Sequence, residues 1–204
     1  MMLQSNKHVF RRVALPVLIL AAAVLCLPAP YTGQGGGMAL AASATGDAPD
    51  SLYERLAAAQ NEAEARDAER AITRVWLRSG SPTADLLATR AHTALAMEDA
   101  ALAIELLDRA IALAPDWMEA YARRGQIFAA IGDDERAVAD FNQVLAQNQR
   151  HFVVLTTLAA ILDRSGLRKG ALTLYDKALA INPQMDDARK VRDRLKILVE
   201  GRPL

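Results

Sequence analysis

Apolar residues along most of this chain recur at three- and four-residue steps, the spacing that gathers them on one face of a helix. Within 118–151, Tyr121, Phe128, Ala137, Phe141 and Val144 follow that spacing on either side of a break. Gly132 supplies a turn conformation at the break, and Asp133 is placed to cap the helix that follows. Gly166 gives the corresponding turn one stretch later, and Glu98-Asp99 takes its place one stretch earlier. Asp116 with Glu119 three residues on reads as a capping box, and Pro115 stops the preceding helix just before it.

These stretches repeat with a period of 34. Ala103, Ala137 and Ala171 share one column, as do Leu107, Phe141 and Tyr175, and Ala110, Val144 and Ala178. Leu87, Tyr121 and Leu155 form another, followed by the small residues Ala91, Gly125 and Ala159 and the apolar Ala94, Phe128 and Leu162. Pro115 and Pro183 close the first and third units, with Gln149 at the equivalent place in the second. Each unit is thus two helices, over 84–117, 118–151 and 152–185. The small residues fit a close helix crossing, and Leu107, Phe141 and Tyr175 fill the space between hairpins. No single hairpin buries its apolar face alone, so the pattern predicts an all-α fold, an α-solenoid of stacked hairpins.

The repeat columns carry a family resemblance. The chain resembles a tetratricopeptide-repeat protein over about half its length, through Leu87, Ala91, Ala103, Leu107, Ala110 and Pro115 in the first unit. Tyr121, Gly125, Ala137, Phe141 and Val144 carry it in the second, which departs at Gln149. The third supplies Leu155, Ala159, Ala171, Tyr175, Ala178 and Pro183. The resemblance implies a concave groove lined by the first helix of each unit, in which extended peptides or partner helices lie. Its groove positions fall on Asp85, Ala88, His92 and Leu95, then Glu119, Ala122, Arg123, Gln126 and Ala129, then Val153, Thr156, Ala160 and Asp163. Of these, Asp85, His92, Glu119, Arg123, Gln126, Thr156 and Asp163 are the candidate partner-binding residues. The carboxylate clamp of chaperone-binding members is not supported, because Ala88, His92, Arg123, Val153 and Thr157 stand in its places.

The flanks are expected to cap the array. Ser51 with Glu54 is a second capping-box pattern, and Leu52, Leu56, Ala63, Ile72, Val75 and Trp76 predict a divergent helical hairpin over 51–80. Counting back one period puts a repeat start at Asp50, against which stand Glu69 in an alanine column and the displaced Pro82. Trp76 and Trp117 are read as packing residues rather than interface anchors. At the other end Ala188, Val191, Leu195 and Leu198 stripe a capping helix over 186–200, whose Arg189, Lys190, Arg192, Asp193, Arg194 and Lys196 form a solvated face.

Composition narrows the function. All 24 acids lie beyond residue 44, with 21 of the 24 bases, so that portion has a net charge of −3 and no basic surface for nucleic acid. Cys26 is the one cysteine, which excludes a disulfide framework and a cysteine metal site. His92 and His151 have no metal-binding pairing, and no nucleophile-elbow, phosphate-loop or dinucleotide motif is present. No catalytic residue, cofactor or metal is expected, and the chain is read as a non-enzyme. Lys7, Arg11 and Arg12 precede the apolar stretch Val13–Leu27, which is short for a bilayer span. The A-x-A sites at Ala39–Ala41 and Ala42–Ala44 complete a signal-peptide pattern over 1–44, with a linker over 45–50. The expectation is an exported, periplasmic adaptor of a bacterial envelope that binds another protein. The rival expectation is a self-associating structural protein held in the inner membrane by an uncleaved N-terminus.

Overall fold

The computed structural model describes residues 47–201; the basic region, the apolar stretch, Cys26 and the cleavage sites lie outside the described residues. Among the described residues there are nine helices and no strand. They are α1 (Asp50–Ala57), α2 (Glu62–Trp76), α3 (Pro82–Ala96), α4 (Ala100–Leu113), α5 (Met118–Ala130), α6 (Asp134–Gln147), α7 (Phe152–Arg164), α8 (Arg168–Ile181) and α9 (Asp186–Glu200). None of them is long and apolar enough to cross a membrane.

The three units are the hairpins α3–α4, α5–α6 and α7–α8, stacked as an all-α solenoid with α9 packed on α8. Each first helix ends the same way. Glu98, Gly132 and Gly166 take positive φ of 61°, 83° and 79°, one period apart. The next amide N–H then donates back to a carbonyl near the helix end: Asp99 to Ala94, Asp133 to Phe128 and Leu167 to Leu162. This satisfies a carbonyl that the helix end would otherwise leave unpaired. Asp99 and Asp133 then cap α4 and α6, their side chains accepting from Leu102 and Arg136 N–H.

The column of small residues has a measurable cause at Gly125. A Cβ there would sit 2.7 and 2.9 Å from two ring carbons of Phe141 and 3.1 Å from Asp140 Cβ. Ala103, Ala137 and Ala171 are likewise fully buried, and so are Ala110, Val144 and Ala178. Arg124 of α5 ties its own unit to the one before, donating to Asp108 of α4 at 2.6 Å and twice to the buried Asp140 of α6. Arg192 of α9 reaches Asp176 of α8 in the same register.

The structure departs from the sequence expectation at three places. α5 is capped at Trp117 without a side-chain bond, because Asp116 is an exposed turn residue and Glu119 is turned into the protein. Helix α1 begins at Asp50 behind Pro49, so Ser51 lies inside its first turn and makes no capping bond. Ala63 and Leu198 are exposed; the buried stripe of α2 is Ala65, Ala68, Ile72 and Trp76, and that of α9 is Ala188 and Leu195.

The hairpin α1–α2 lies across the segments that join the units. Trp117 Nε1–H, between α4 and α5, donates to Trp76 O at 2.7 Å. Between α6 and α7, Asn148 donates to Asp47 and Tyr53, and Arg150 pairs with Asp47 and Asp50 at 2.7 Å. Between α8 and α9, Asn182 donates to Glu69 and Gln184 to Ala59 O. The apolar stripe of α2 shares one buried cluster with Met118, Ala122 and Phe152. Three residues explain why the hairpin does not continue the stack. One period before the buried columns of the first unit stand Glu69 and Trp76, where Ala103 and Ala110 leave no room. Arg74 would face Arg90 where the second unit sets Asp108 against Arg124.

Candidate partner-binding cleft

Helix α5 packs against α7, but a cleft of about 380 Å³ separates α3 from α5. Its walls follow from helical spacing: Ala88, His92 and Leu95 from α3, and Glu119, Arg123, Gln126 and Ile127 from α5. Ala91 and Leu107 form an apolar floor. Past His92 and Arg123 the cleft continues into a hollow of about 360 Å³ beside Asp85, Leu77 and Trp117.

Four of the seven residues expected from the sequence, His92, Glu119, Arg123 and Gln126, therefore line one cleft, with Asp85 at its extension. The other two lie in the third unit and are engaged elsewhere. Thr156 donates its hydroxyl to Val153 O at 2.9 Å. Asp163 accepts from Arg194 of α9 at 2.6 Å. Asp85 accepts from Ser79 N–H at 3.0 Å, which fixes the entry to α3.

The buried Glu119 and the half-buried Arg123 form an ion pair at the cleft wall. Arg123 Nε–H donates to Glu119 Oε1 at 3.0 Å, and the other carboxylate oxygen meets His151 Nε2 at 3.4 Å. His151 Nδ1 accepts from Val154 N–H and so caps α7, which leaves the ring proton on Nε2, facing Glu119. Burial pushes the Glu119 carboxyl up, but the bond from His151 and the charge of Arg123 outweigh it and hold it below its ordinary value of 4.5. His92, which is exposed, and Gln126, which is half-buried, make no side-chain hydrogen bond among the described residues. Sequence reasoning did not find His151 as the partner of Glu119, since 32 residues separate them. It also missed Ile131, which is half exposed at the cleft's lip; its one signal was a large apolar residue just before the Gly132 turn. Among the described residues no cluster of three or more His, Cys, Asp or Glu side chains could hold a metal ion.

Residues 119–151 match the family model described as tetratricopeptide repeat. A TPR repeat-containing protein of Rhizobium etli is 31% identical over 151 residues, spanning 74% of this chain and 72% of that protein. The Sgt2 TPR domain of Aspergillus fumigatus superposes with a TM-score of 0.54 at 21% identity, covering 61% of this chain and 87% of the domain. YrrB, described as a TPR protein with an unusual peptide-binding site, does so with 0.51 at 24%, covering 71% and 68%.

Proposed function

The chain belongs to the tetratricopeptide-repeat family, and from that premise we propose that it is a protein-interaction scaffold whose α3–α5 cleft takes a peptide or helical segment of another protein. The observation that carries this reading is the cleft itself: an apolar floor for an anchoring side chain, rimmed by the unengaged polar groups of His92 and Gln126. The peptide-binding site named for YrrB supports the same use of the fold. Recognition there is equilibrium binding, with no bond made or broken. The signal-like N-terminus supports an exported, periplasmic scaffold of a bacterial envelope.

The test is to crosslink the tagged chain in intact cells, identify the partner, and repeat its binding with the purified H92A/Q126A double variant. The expected result is at least tenfold weaker binding at unchanged thermal stability, since neither side chain is buried in the core. Undiminished binding would remove the cleft assignment. Mapping the chain's N-terminus in the same sample tests export: a start near Ala42 or Thr45 is expected, and an unprocessed chain recovered with itself alone would favour the membrane-held, self-associating form.

A further inference from the structure

The face of α3 that precedes the stack repeats a contact pattern whose counterpart is missing. In the later units this face receives the second helix of the unit before it. Ala120, Val154 and Ala188 occupy one column of that contact and are buried, whereas Leu86, in the same column, is 50% exposed. Ile127, Ile161 and Leu195 form a second buried column, and Thr93 takes the corresponding place in the open. Met97 at the end of α3 is 77% exposed, against 53% for Ile131 at the same place in the second unit.

The charges follow a similar rule at two of the three later positions, the third unit placing the apolar Leu158 there, opposite Asn142. Arg124 and Arg192 each donate to an aspartate sixteen residues earlier, Asp108 and Asp176, on the helix packed against them. Arg90 lies in this arginine column, exposed and without an ion pair among the described residues, because the same step back lands on Arg74. The hairpin that would have covered the face is bonded instead to the segments at 117, 148–151 and 182–184.

We propose that this face, with Leu86, Arg90 and Met97, is a second docking surface, distinct from the cleft, and that it takes an acidic amphipathic helix of a partner protein. The complementary helix is specified by what α4 brings to the cluster it shares with α5: alanine, leucine and isoleucine side chains, with one carboxylate placed for the guanidinium. Thr93, where the buried column has Ile127, Ile161 and Leu195, makes the face more polar than its counterparts, as suits a surface that is alternately hydrated and covered. A second copy docking through the same face would bring two unpaired Arg90 side chains together, which opposes that occupant.

The probe is a synthetic peptide of residues 99–116, the α4 segment, titrated into the intact protein by calorimetry and followed by amide NMR shifts. Saturable binding with shifts centred on 86–97 is expected. R90E should weaken it about tenfold, and a D108K peptide should recover affinity for R90E but not for the unaltered chain. The H92A/Q126A variant should bind the peptide normally, so the cleft can fail without this surface failing. No saturation up to millimolar peptide, or binding indifferent to R90E, would overturn the proposal. So would concentration-dependent dimerisation of the protein alone that L86D abolishes, which would make a second copy the occupant.

Discussion

Trp76 stacks on His151, with 4.1 Å between ring centroids and 16° between the planes. The contact joins the N-terminal hairpin to the cap of α7, and through Glu119 and Arg123 to the wall of the cleft. Trp76 also packs at 5.4 Å from Phe152 and gives its carbonyl to Trp117. Replacing it with alanine should cost about 3–5 kcal/mol of unfolding free energy, the range for deleting a buried aromatic. Urea denaturation checks the magnitude. Limited proteolysis checks the location, with cleavage expected first within residues 50–77.

The depressed titration of Glu119 gives a pH dependence with a definite sign. The folded carboxyl ionises more readily than the unfolded one, so its contribution is complete above about pH 4.5 and is lost as pH falls through the lower folded value. E119Q should be less stable than the parent at pH 7 by about 1–3 kcal/mol, because Arg123 and His151 lose a buried acceptor. The difference should shrink progressively below pH 4.5. A difference that stays constant to pH 3 would mean that His151 and Arg123 do not hold the charge.

Gly125→Ala sets helix propensity against space. Alanine gains about 1 kcal/mol in a helix interior, but its Cβ would overlap the fully buried ring of Phe141. The overlap should win, with a net loss of about 1–3 kcal/mol by chemical denaturation. Combining G125A with F141L should recover part of the loss, and failure of that rescue would place the strain elsewhere.

Glu98 stands at φ 61°, where the other two units use glycine. A left-handed conformation costs a non-glycine residue about 1–2 kcal/mol, partly offset by the greater chain entropy that glycine loses on folding. Glu98→Gly should therefore raise the melting temperature, by an amount matching under about 1 kcal/mol, without altering α3 or α4 in amide exchange.

Asn148 joins the hairpin through Asp47 and Tyr53, and its own side-chain oxygen accepts from Arg150 N–H. N148A should increase hydrogen exchange in α1 while leaving α5 and α6 protected, at a cost of about 1–2 kcal/mol. Equal loosening of α1 and α6 would show that the two are not separable.

The repeat units were legible because their columns are set by local packing. Ala137, Phe141 and Gly125 meet within a single hairpin, and the 34-residue period writes the same constraint three times. The places of His92, Glu119, Arg123 and Gln126 on the first helices came from the family resemblance, whose groove positions they occupy, and spacing alone did not single out a cleft between α3 and α5. What could not be read were contacts that no period encodes. Asn148, Asn182 and Gln184 look like ordinary loop residues until residues 47–77 fold back onto them. Asp116 and Glu119 formed a plausible cap by spacing alone, but a buried acceptor opposite His151 and Arg123 was the stronger demand on Glu119. Thr156 and Asp163 lie on α7 outside this cleft, Thr156 bonded back to Val153 O and Asp163 to Arg194, contacts that the period does not specify.

A stack of repeats ordinarily folds through neighbours and can begin wherever two units meet. The bond from Gln184 to Ala59 spans 125 residues, and that from Asn182 to Glu69 spans 113, so this chain closes on itself. During synthesis, α1 and α2 emerge first and wait roughly 6 to 25 s for their last partners at 5–20 residues per second. Ile72 and Trp76 face water or whatever else is at hand until Trp117, His151 and Phe152 have followed. The chain's exposure to misassembly therefore depends on the order in which its segments become available to fold, and a change at residues 182–184 would be felt in the hairpin that precedes the stack.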